Sequence, residues 1–304
     1  MNIIVFLLVL LSTLMHATWN FLSKKSMPSA AFFTISCGTA SLCFAWSMLF
    51  GGIPDLGSNT TAYLFCIGSV GCETLYFLGL ANAYRATDIS LAYPVARALP
   101  VLLIAFITPI IHPGGVPTLP GAVGLATIFF GCLLMPLKKF SDFHWKNYFN
   151  PALVFILMAA IGTTGYTLID SELINYFVSD GKNRIIASAQ FSFVINGGIA
   201  ASLGYVTLLS RRERANFRQI ISSANTLIPA LMAGVLAAVA YIIILIAMTY
   251  VDLKQLCYLQ AFRQMSLPFG VLLGIFLLHE PAYRPKLCGI IMIVSGLIAI
   301  SLSK

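Results

Sequence analysis

Charged residues are scarce in this chain: only 9% of its 304 residues are Asp, Glu, Lys or Arg, whereas 59% are hydrophobic. A water-soluble domain of this size carries roughly 25% charged residues. This deficit, together with a mean hydropathy of +0.91, excludes an ordinary soluble domain. The composition predicts an all-α polytopic membrane protein.

Motifs for metal, redox or hydrolytic chemistry are also missing. The seven cysteines include no CxxC pair and the four histidines lie far apart, which favours membrane packing over metal or disulfide chemistry. No paired carboxylates at catalytic spacing and no Ser/His/Asp pattern occur, so we predict no enzyme, no metal and no cofactor. The net charge of +8 is spread over short loops without interleaved aromatic residues, which argues against a nucleic-acid partner.

Ten apolar windows are each long enough to cross a bilayer core of roughly 30 Å. Backbone groups in hydrocarbon need internal hydrogen-bond partners, so each window is expected to be a helix. The first window resembles a signal peptide but lacks a basic start, and we interpret it as the first helix. The windows lie near residues 2–22, 29–50, 60–82, 89–111, 118–137, 150–170, 184–209, 227–249, 255–278 and 286–303.

The second half of the chain repeats features of the first half in the same order. A short break containing Asp follows the third and the eighth helix, and the next helix carries a deep arginine followed by a proline, Arg97–Pro100 and Arg263–Pro268. Five helices per half must insert in opposite orientations, as in the inverted repeats of many transporters. We therefore predict two inverted five-helix repeats, residues 1–140 and 141–304.

Small residues form stripes in the closing helix of each half. Gly124 and Gly131 are seven residues apart, as are Gly289 and Gly296, so each pair lies on one helix face. Such stripes permit close helix packing. A further contact is predicted at "GVLLG", residues 270–274. The stripes do not decide the oligomeric state, because they can all be used within one chain.

Lys and Arg are distributed unevenly between alternate loops. The loops after the first, third, fifth, seventh and ninth helices hold twelve of them, and the remaining loops and the tail hold four. The positive-inside rule then places the odd-numbered loops in the cytoplasm and both termini outside. The twelve are Lys24, Lys25, Arg85, Lys138, Lys139, Lys146, Arg211, Arg212, Arg214, Arg218, Arg284 and Lys286.

Three segments resemble the EamA-type branch of the drug/metabolite transporter superfamily: "HATWNFLSKKS" (16–26), "ANAYRATDISLAYPVARALP" (81–100) and "QAFRQMSLPFGVLLGIFLLHEP" (260–281). The Tyr-Pro-x-Ala-Arg form is similar to a subgroup associated with phosphonate utilisation. The resemblance implies one copy of the repeat per half, a central cavity bordered by helices 3, 4, 8 and 9, and alternating access. Members are secondary carriers of metabolites, amino acids, nucleotide-linked compounds or drugs, so we expect an integral protein of the bacterial inner membrane.

The chain departs from the family pattern in two places. Glu280 is similar to the family's glutamate at the end of the ninth helix, but the first half has no clear counterpart. The small multidrug members carry a cation-binding glutamate in the first helix, where this chain has His16 and no acidic residue. That difference argues against export of polyaromatic cations.

Two deep arginines are the main candidates for substrate binding. Arg97 and Arg263 each lie on the order of 12 Å into their helices, where a charge costs at least about 2.5–3.5 kcal/mol. Two convergent guanidiniums suit a carboxylate, phosphonate or phosphate group, which they can bind in bidentate fashion. The alternative is that each arginine is neutralised internally, by an acid such as Glu73 or by carbonyls at a helix end.

The sequence holds further candidate functional residues. Glu73 is a candidate for proton coupling, or a fixed ion-pair partner of Arg97 or Arg263. The prolines are candidate hinges or ordinary kinks. Asp170 and Glu172 are expected at the membrane interface. Residues 211–218 are expected to form a basic loop near anionic lipid heads. Candidate substrate-binding or packing residues are His16, Trp19, Asn20, Tyr93, Tyr166, Tyr258 and Gln260, and the candidate hinges are Pro94, Pro100 and Pro268.

Two functions remain open from the sequence. The first is secondary active transport of a small polar, anionic metabolite through a central alternating-access cavity. The alternative is a proton-coupled efflux pump for hydrophobic or cationic compounds. Both imply a small-molecule substrate and contact with membrane lipids.

Overall fold

The structure is a computed structural model that describes residues 3–54, 59–86, 89–111, 116–144, 152–178, 183–251, 253–269, 275 and 281–302. Side chains are described over the same ranges except at 3–6, 24–25, 89–95, 253–254, 257 and 301. The side chains of Tyr93 and Pro94, the residue Glu280 and the "GVLLG" segment therefore lie outside the described residues.

All regular structure in these ranges is helical. The helices are α1 (Ile3–Lys25), α2 (Ala30–Cys43), α3 (Trp46–Gly51), α4 (Thr60–Ala86), α5 (Ile89–Ile111), α6 (Leu119–Leu134), α7 (Leu153–Val178), α8 (Arg184–Leu209), α9 (Arg211–Ser222), α10 (Ala224–Met248), α11 (Leu253–Phe262) and α12 (Arg284–Leu302). Two 3-10 turns, Phe140–Asp142 and Arg263–Met265, complete them.

Five helical segments are long and apolar enough to cross a membrane: Ala30–Gly51, Thr60–Ala86, Leu153–Val178, Arg184–Leu209 and Ala224–Met248. Shorter apolar helices cover Leu7–Ser23, Ala96–Ile111 and Leu119–Leu134. Large apolar side chains on many helices face outward, where water would make them unfavourable and lipid would not. The structure thus agrees with the predicted class, a helical membrane protein.

The main helix pairs bring distant parts of the chain together. α4 packs along α7, α6 along α12, α1 along α10, and α2 along both α8 and α10. A Cβ atom added to Gly124 would lie 2.7 Å from the carbonyl oxygen of Gly296, and one added to Gly131 would lie 2.9 Å from that of Gly289. The predicted use of the glycine stripes for close packing is confirmed, and α6 and α12 run antiparallel.

One end of the molecule is fixed by Glu213. Its Oε1 accepts a hydrogen bond from Nη2 of Arg85 (2.7 Å), and its Oε2 accepts one from the backbone N–H of Ala31 (3.1 Å). These contacts join the C-terminal end of α4, the N-terminal end of α2 and the first turn of α9. We call this end the Glu213 face.

The opposite end carries a second set of contacts. Nε2 of Gln190 donates to the carbonyl of Gly52 at 2.7 Å, and the guanidinium of Arg184 lies 4.1 Å from the ring centre of Tyr250. The end of α3, the start of α8 and the end of α10 therefore lie together, and we call this end the Gly52 face. Residues 30–51 connect the two faces over roughly 30 Å, at about 1.5 Å per helical residue.

The segment 211–218, predicted as a loop, is part of helix α9. The Ser210 side chain caps this helix by accepting from the N–H of Glu213. Glu213 and Ile220 are buried seven residues apart, while Arg211, Arg212 and Arg218 are exposed. This spacing is that of an amphipathic helix, although the many basic residues had suggested a loop.

Two further boundaries differ from the prediction. The sixth window is predicted to end at residue 170, but α7 continues to Val178 and buries Leu173, Ile174 and Phe177. The ninth window, expected as one helix over 255–278, instead passes from α11 into the 3-10 turn Arg263–Met265 before helix resumes at 266–269.

Candidate functional site

The two deep arginines meet inside the helix bundle. Arg97 lies on α5 and Arg263 in the 3-10 turn after α11, and their exposed fractions are 4% and 2%. Nη2 of Arg97 donates to the backbone carbonyl of Arg263 at 2.9 Å and to Oγ of Ser266 at 2.6 Å. The guanidinium from the first half therefore contacts the backbone that carries the guanidinium of the second half.

The carbonyl of Arg263 lies in the 3-10 turn, where it also accepts the backbone N–H of Ser266. Pro268 has no N–H, so the carbonyl that loses its α-helical partner there is that of Gln264, four residues earlier. The carbonyl of Arg263 accepts the Ser266 hydroxyl (3.0 Å) as well as Arg97. Carbonyls at an interrupted helix carry partial negative charge and stabilise a guanidinium. This is the helix-end interaction considered above as an alternative role for Arg97.

The predicted face of α1 borders Arg97. Nη1 of Arg97 donates to Nε2 of His16 at 3.3 Å. Asn20 donates from Nδ2 to the carbonyl of His16 at 2.7 Å, and the Trp19 ring lies edge-on to the His16 ring with 5.0 Å between centroids. Trp19 and Asn20 are buried. The three α1 candidates thus lie together beside the arginine pair.

Arg263 is held by side chains from α11 and α7. Nη1 donates to Oε1 of Gln260 at 3.0 Å, and Nη2 donates to the hydroxyl of Tyr166 at 3.4 Å. The Tyr166 ring lies 6.0 Å from that of Tyr76 and 6.1 Å from that of Tyr241. Arg263 therefore borders an aromatic wall contributed by α4, α7 and α10.

A buried aspartate lies one turn beyond this wall. Asp170 is 0% exposed, and Oγ of Ser69 donates to its Oδ1 at 2.5 Å while the Tyr241 hydroxyl donates to its Oδ2. Asp170 therefore lies inside the helix bundle, eight residues before the end of α7, and not at the end of its helix as predicted. The signal in the sequence was its spacing of four residues from Tyr166, which places both on one face of α7.

Glu73 is a second buried carboxyl on α4, with an exposed fraction of 7%. Among the described residues no donor reaches its Oε1, and neither Arg97 nor Arg263 lies within 4.0 Å of it. The predicted alternative of a fixed ion pair between Glu73 and one of these arginines is therefore wrong. Glu73 lies one helical turn after Ser69, whose hydroxyl donates to Asp170, so Glu73 is on the face of α4 that meets α7.

The remaining candidates lie elsewhere or fall outside the described side chains. The Tyr258 hydroxyl accepts from the backbone N–H of Thr118 at the start of α6 (3.3 Å) and does not join the arginine pair. Five residues separate Tyr258 from Arg263, a spacing that puts the two on different helix faces. Pro100 and Pro268 are buried, and α5 is continuous through Pro100, so no helix break occurs there.

An apolar groove of about 240 Å³ adjoins the 3-10 turn on its other side. It offers no hydrogen-bond donors to an anion and is thus separate in character from the arginine region. Its lining residues are Val9, Leu10, Phe262, Met265, Val294, Leu297, Ile298 and Leu302.

Several polar atoms around the arginines have no hydrogen-bond partner among the described residues. Buried polar groups in proteins are nearly always paired, so these are atoms that ordered water or a polar ligand would satisfy. The arrangement offers two guanidiniums, an imidazole and amides for binding, and two carboxyls for charge balance. The unpartnered atoms are Nε1 of Trp19, Oδ1 of Asn20, Oε1 of Glu73, Nε2 of Gln260 and Oε1 of Gln264.

Comparison with known proteins identifies a shared fold. No family model matches the chain, and no curated protein matches it. A solved structure described only as "Crystal structure of protein" is similar over 99% of this chain and 98% of that chain, with a TM-score of 0.73 and 14% sequence identity. At that identity the likeness concerns the fold alone.

Proposed function

We propose that the protein is a secondary active transporter of a small, polar, anionic metabolite, similar to EamA-type carriers, with a central cavity and alternating access. The observation that carries this proposal is the meeting of Arg97 and Arg263 in one buried polar region. Burying a guanidinium in a membrane costs at least about 2.5–3.5 kcal/mol, and such residues commonly mark substrate pathways.

The pairing of the helices supports an inverted repeat of ten spans, residues 1–140 and 141–304. If α2 and α3 count as one span and α9 as none, the first span packs on the eighth and the third on the sixth. The second packs on the seventh and the fifth on the tenth. Exchanging the two halves maps this set of pairs onto itself, as an inverted repeat requires.

The two faces support the predicted orientation. The loops after the first, third and seventh spans meet at the Glu213 face, which carries basic residues such as Arg85 and Arg211. The antiparallel packing of α6 and α12 directs the end of α12 toward the Gly52 face. The positive-inside rule then makes the Glu213 face cytoplasmic and places both termini outside, in a bacterial inner membrane.

An anionic substrate fits the donor set. A guanidinium binds carboxylate, phosphonate or phosphate oxygens through two parallel N–H bonds. Gln260 and Asn20 supply amide atoms beside the two arginines. The resemblance to the phosphonate-associated subgroup makes phosphonates the first compounds to test.

Counterflow in proteoliposomes tests this proposal. Purified protein is reconstituted and assayed against a panel of phosphonates, organic acids, amino acids and cationic dyes. For any anion transported, Arg263→Gln and Arg97→Gln should each reduce flux at least about tenfold, because hydrogen bonds to charged groups contribute about 1.5–3 kcal/mol. Arg218→Gln on the exposed side of α9 is the matched control and should leave flux unchanged.

The anion proposal fails if both glutamine variants fold normally and retain wild-type flux of every transported anion. Folding is checked by gel-filtration profile and by the thermal unfolding midpoint in detergent. Saturation of flux with substrate concentration distinguishes a carrier from a leak.

A proton-coupled efflux pump for hydrophobic or cationic compounds is the second candidate. It is favoured by the buried carboxyl of Glu73 and by the aromatic rings of Tyr76, Tyr166 and Trp19, which can bind a cation through their faces. In that case Glu73→Gln should abolish dye efflux from cells, while Arg263→Gln should change it little. The reverse pattern excludes the pump.

A further inference from the structure

Two buried carboxyls face each other between α4 and α7, next to the arginine region. Asp170 accepts hydroxyl hydrogen bonds from Ser69 and Tyr241, whereas Oε1 of Glu73 accepts none from the described residues. Ser69 and Glu73 are four residues apart, so they lie on the same face of α4. No Lys or Arg side chain in the described part of the chain lies within 4.0 Å of either carboxyl.

The groups that surround the two carboxyls come from five elements. All but one are thiols or phenols, which are uncharged at neutral pH. The exception is Arg263. The second deep cation, Arg97 on α5, donates to the carbonyl of Arg263 and to His16 on α1, on the other side of Arg263 from Tyr166 along this line of contacts. The groups are Cys66, Cys72 and Tyr76 on α4, Tyr166 on α7, Tyr241 on α10, Cys37 on α2, and Arg263 in the 3-10 turn.

We propose that Asp170 and Glu73 form a proton-binding pair, and that the pair takes up one proton when an anion neutralises Arg263. With Arg263 free, its positive charge favours ionised carboxyls. With an anion on Arg263, this guanidinium no longer offsets the two buried carboxylates, and this is unfavourable where water is excluded. One proton from the solvent, bound by a carboxylate oxygen, restores the charge balance.

A line of contacts joins the pair to Arg263. The guanidinium donates to the Tyr166 hydroxyl, the Tyr166 ring packs edge-on against Tyr241, and the Tyr241 hydroxyl donates to Asp170. Movement of Arg263 toward a ligand is thereby transmitted to the side chains around Asp170. Because binding linkage is reciprocal, a proton on the pair also strengthens anion binding. The predicted consequence is proton–anion symport, and this part rests on the proposed function.

Infrared spectroscopy of the purified full-length protein tests the pair without any substrate. The carbonyl band of protonated carboxyl groups is followed during a pH titration. A shift of this band in D₂O shows that it arises from protonated carboxyl groups. Asp170→Asn and Glu73→Gln should each remove part of the buried-carboxyl band. Glu172→Gln, a partly exposed carboxyl two residues along α7, is the matched control and should leave the band unchanged.

Removal of the charge of Arg263 imitates its neutralisation by an anion. Arg263→Gln should raise the proton affinity of the pair at least about tenfold, seen as a titration midpoint at least about one pH unit higher. Arg263→Lys keeps the charge and should leave the midpoint close to that of the wild type. If Arg263→Gln does not fold, Tyr241→Phe is titrated instead, and loss of its hydroxyl hydrogen bond to Asp170 should also raise the midpoint.

An unmoved midpoint in folded Arg263→Gln overturns the coupling, and an unmoved midpoint in Tyr241→Phe overturns the part of Asp170 in the pair. An unchanged band in Asp170→Asn and Glu73→Gln overturns the pair itself. In proteoliposomes, an inward proton gradient should accelerate uptake of any anion found by counterflow, and Asp170→Asn should lose this acceleration but keep exchange. A wild type that transports no anion would reject the proposed function, while the infrared titration still decides whether the carboxyls bind a proton.

Discussion

At the scale of single residues, environment rather than residue type separates the glutamates of this chain. Glu73 is buried with an unpartnered oxygen, whereas both oxygens of Glu213 accept hydrogen bonds. Ser210 and Glu213 stand at the N-cap and third positions of α9, the spacing of a capping box. The Glu213 carboxylate instead reaches Ala31 and Arg85. It thereby stabilises two other helix ends.

Glu213 should make stability depend on pH. Burial alone would raise the pKa of Glu213, but hydrogen bonds from Arg85, the Ala31 amide and Asn216 outweigh it and hold that pKa below its usual value. A carboxyl with a lowered pKa in the folded state contributes stability above its unfolded pKa. That contribution is lost as pH falls through the lowered value. Glu213→Gln should therefore cost about 1 kcal/mol at neutral pH and progressively less in acid.

Thermal unfolding in detergent micelles between neutral and acidic pH measures this effect. A double-mutant cycle with Arg85→Gln is the control, because it isolates the energy of the pair. If the cost of Glu213→Gln were the same at every pH, the ion pair would not be its cause.

Residue type and helix spacing predicted most, but not all, of the polar side chains near the arginines. Three predicted residues contact an arginine directly: His16, Gln260 and Tyr166. Two more, Trp19 and Asn20, pack against His16, as their helix spacing suggested. Tyr258 does not lie beside either arginine. Its hydroxyl instead accepts a hydrogen bond from Thr118 at the start of α6, 140 residues away in the sequence. Local spacing fixes the face of a helix, not what that face meets.

At the scale of elements, glycines determine how closely the closing helices approach. A Cβ at Gly131 would meet the Gly289 carbonyl oxygen at 2.9 Å and the Met292 side chain at 3.0 Å. Backbone on the other side cannot move aside as a flexible side chain can. The α6–α12 contact is therefore sensitive to a single methyl group.

Gly131→Ala should destabilise the protein by about 1–3 kcal/mol, because the added methyl overpacks the helix contact. Gly71→Ala on α4 is the matched control, since a Cβ there meets nothing within 4 Å. Alanine in a helix should leave stability unchanged or raise it by about 0.5–1 kcal/mol. The two variants are compared by their thermal unfolding midpoints in the same detergent, and equal midpoints would contradict the packing explanation.

The 3-10 turn at Arg263 was not predictable from periodicity. Proline at 268 indicated an irregularity, but the same residue type at 100 leaves α5 continuous. The interrupted turn provides the carbonyl that binds Arg97, a contact between residues 166 positions apart that local sequence does not reveal. A proline permits a helix break, and the partners available decide where it occurs.

At the scale of the whole molecule, the two faces give the orientation a direct test. Arg212 is exposed at the Glu213 face, and Ile53 is 88% exposed at the Gly52 face. In a cysteine-free background, Arg212→Cys should be protected from a membrane-impermeant maleimide in intact cells and labelled after lysis. Ile53→Cys should be labelled from outside, because the basic face is expected in the cytoplasm.

The native cysteines are replaced first, and the cysteine-free protein must keep its unfolding midpoint. Labelling of both positions from the same side would contradict the alternation of spans. Labelling of Arg212→Cys from outside and Ile53→Cys from inside would keep the alternation and reverse the orientation.

The sequence by itself determined the class of this protein and the helical nature of its apolar windows. Hydropathy and the need to satisfy backbone hydrogen bonds in lipid act locally, so they can be read from a window of about 20 residues. Only the tertiary structure decided that Asp170 is buried, that Glu73 is not ion-paired with either deep arginine, and that Arg97 bonds the backbone of Arg263. Those results depend on contacts between residues 101 and 166 positions apart, whose approach is set by the packing of whole helices.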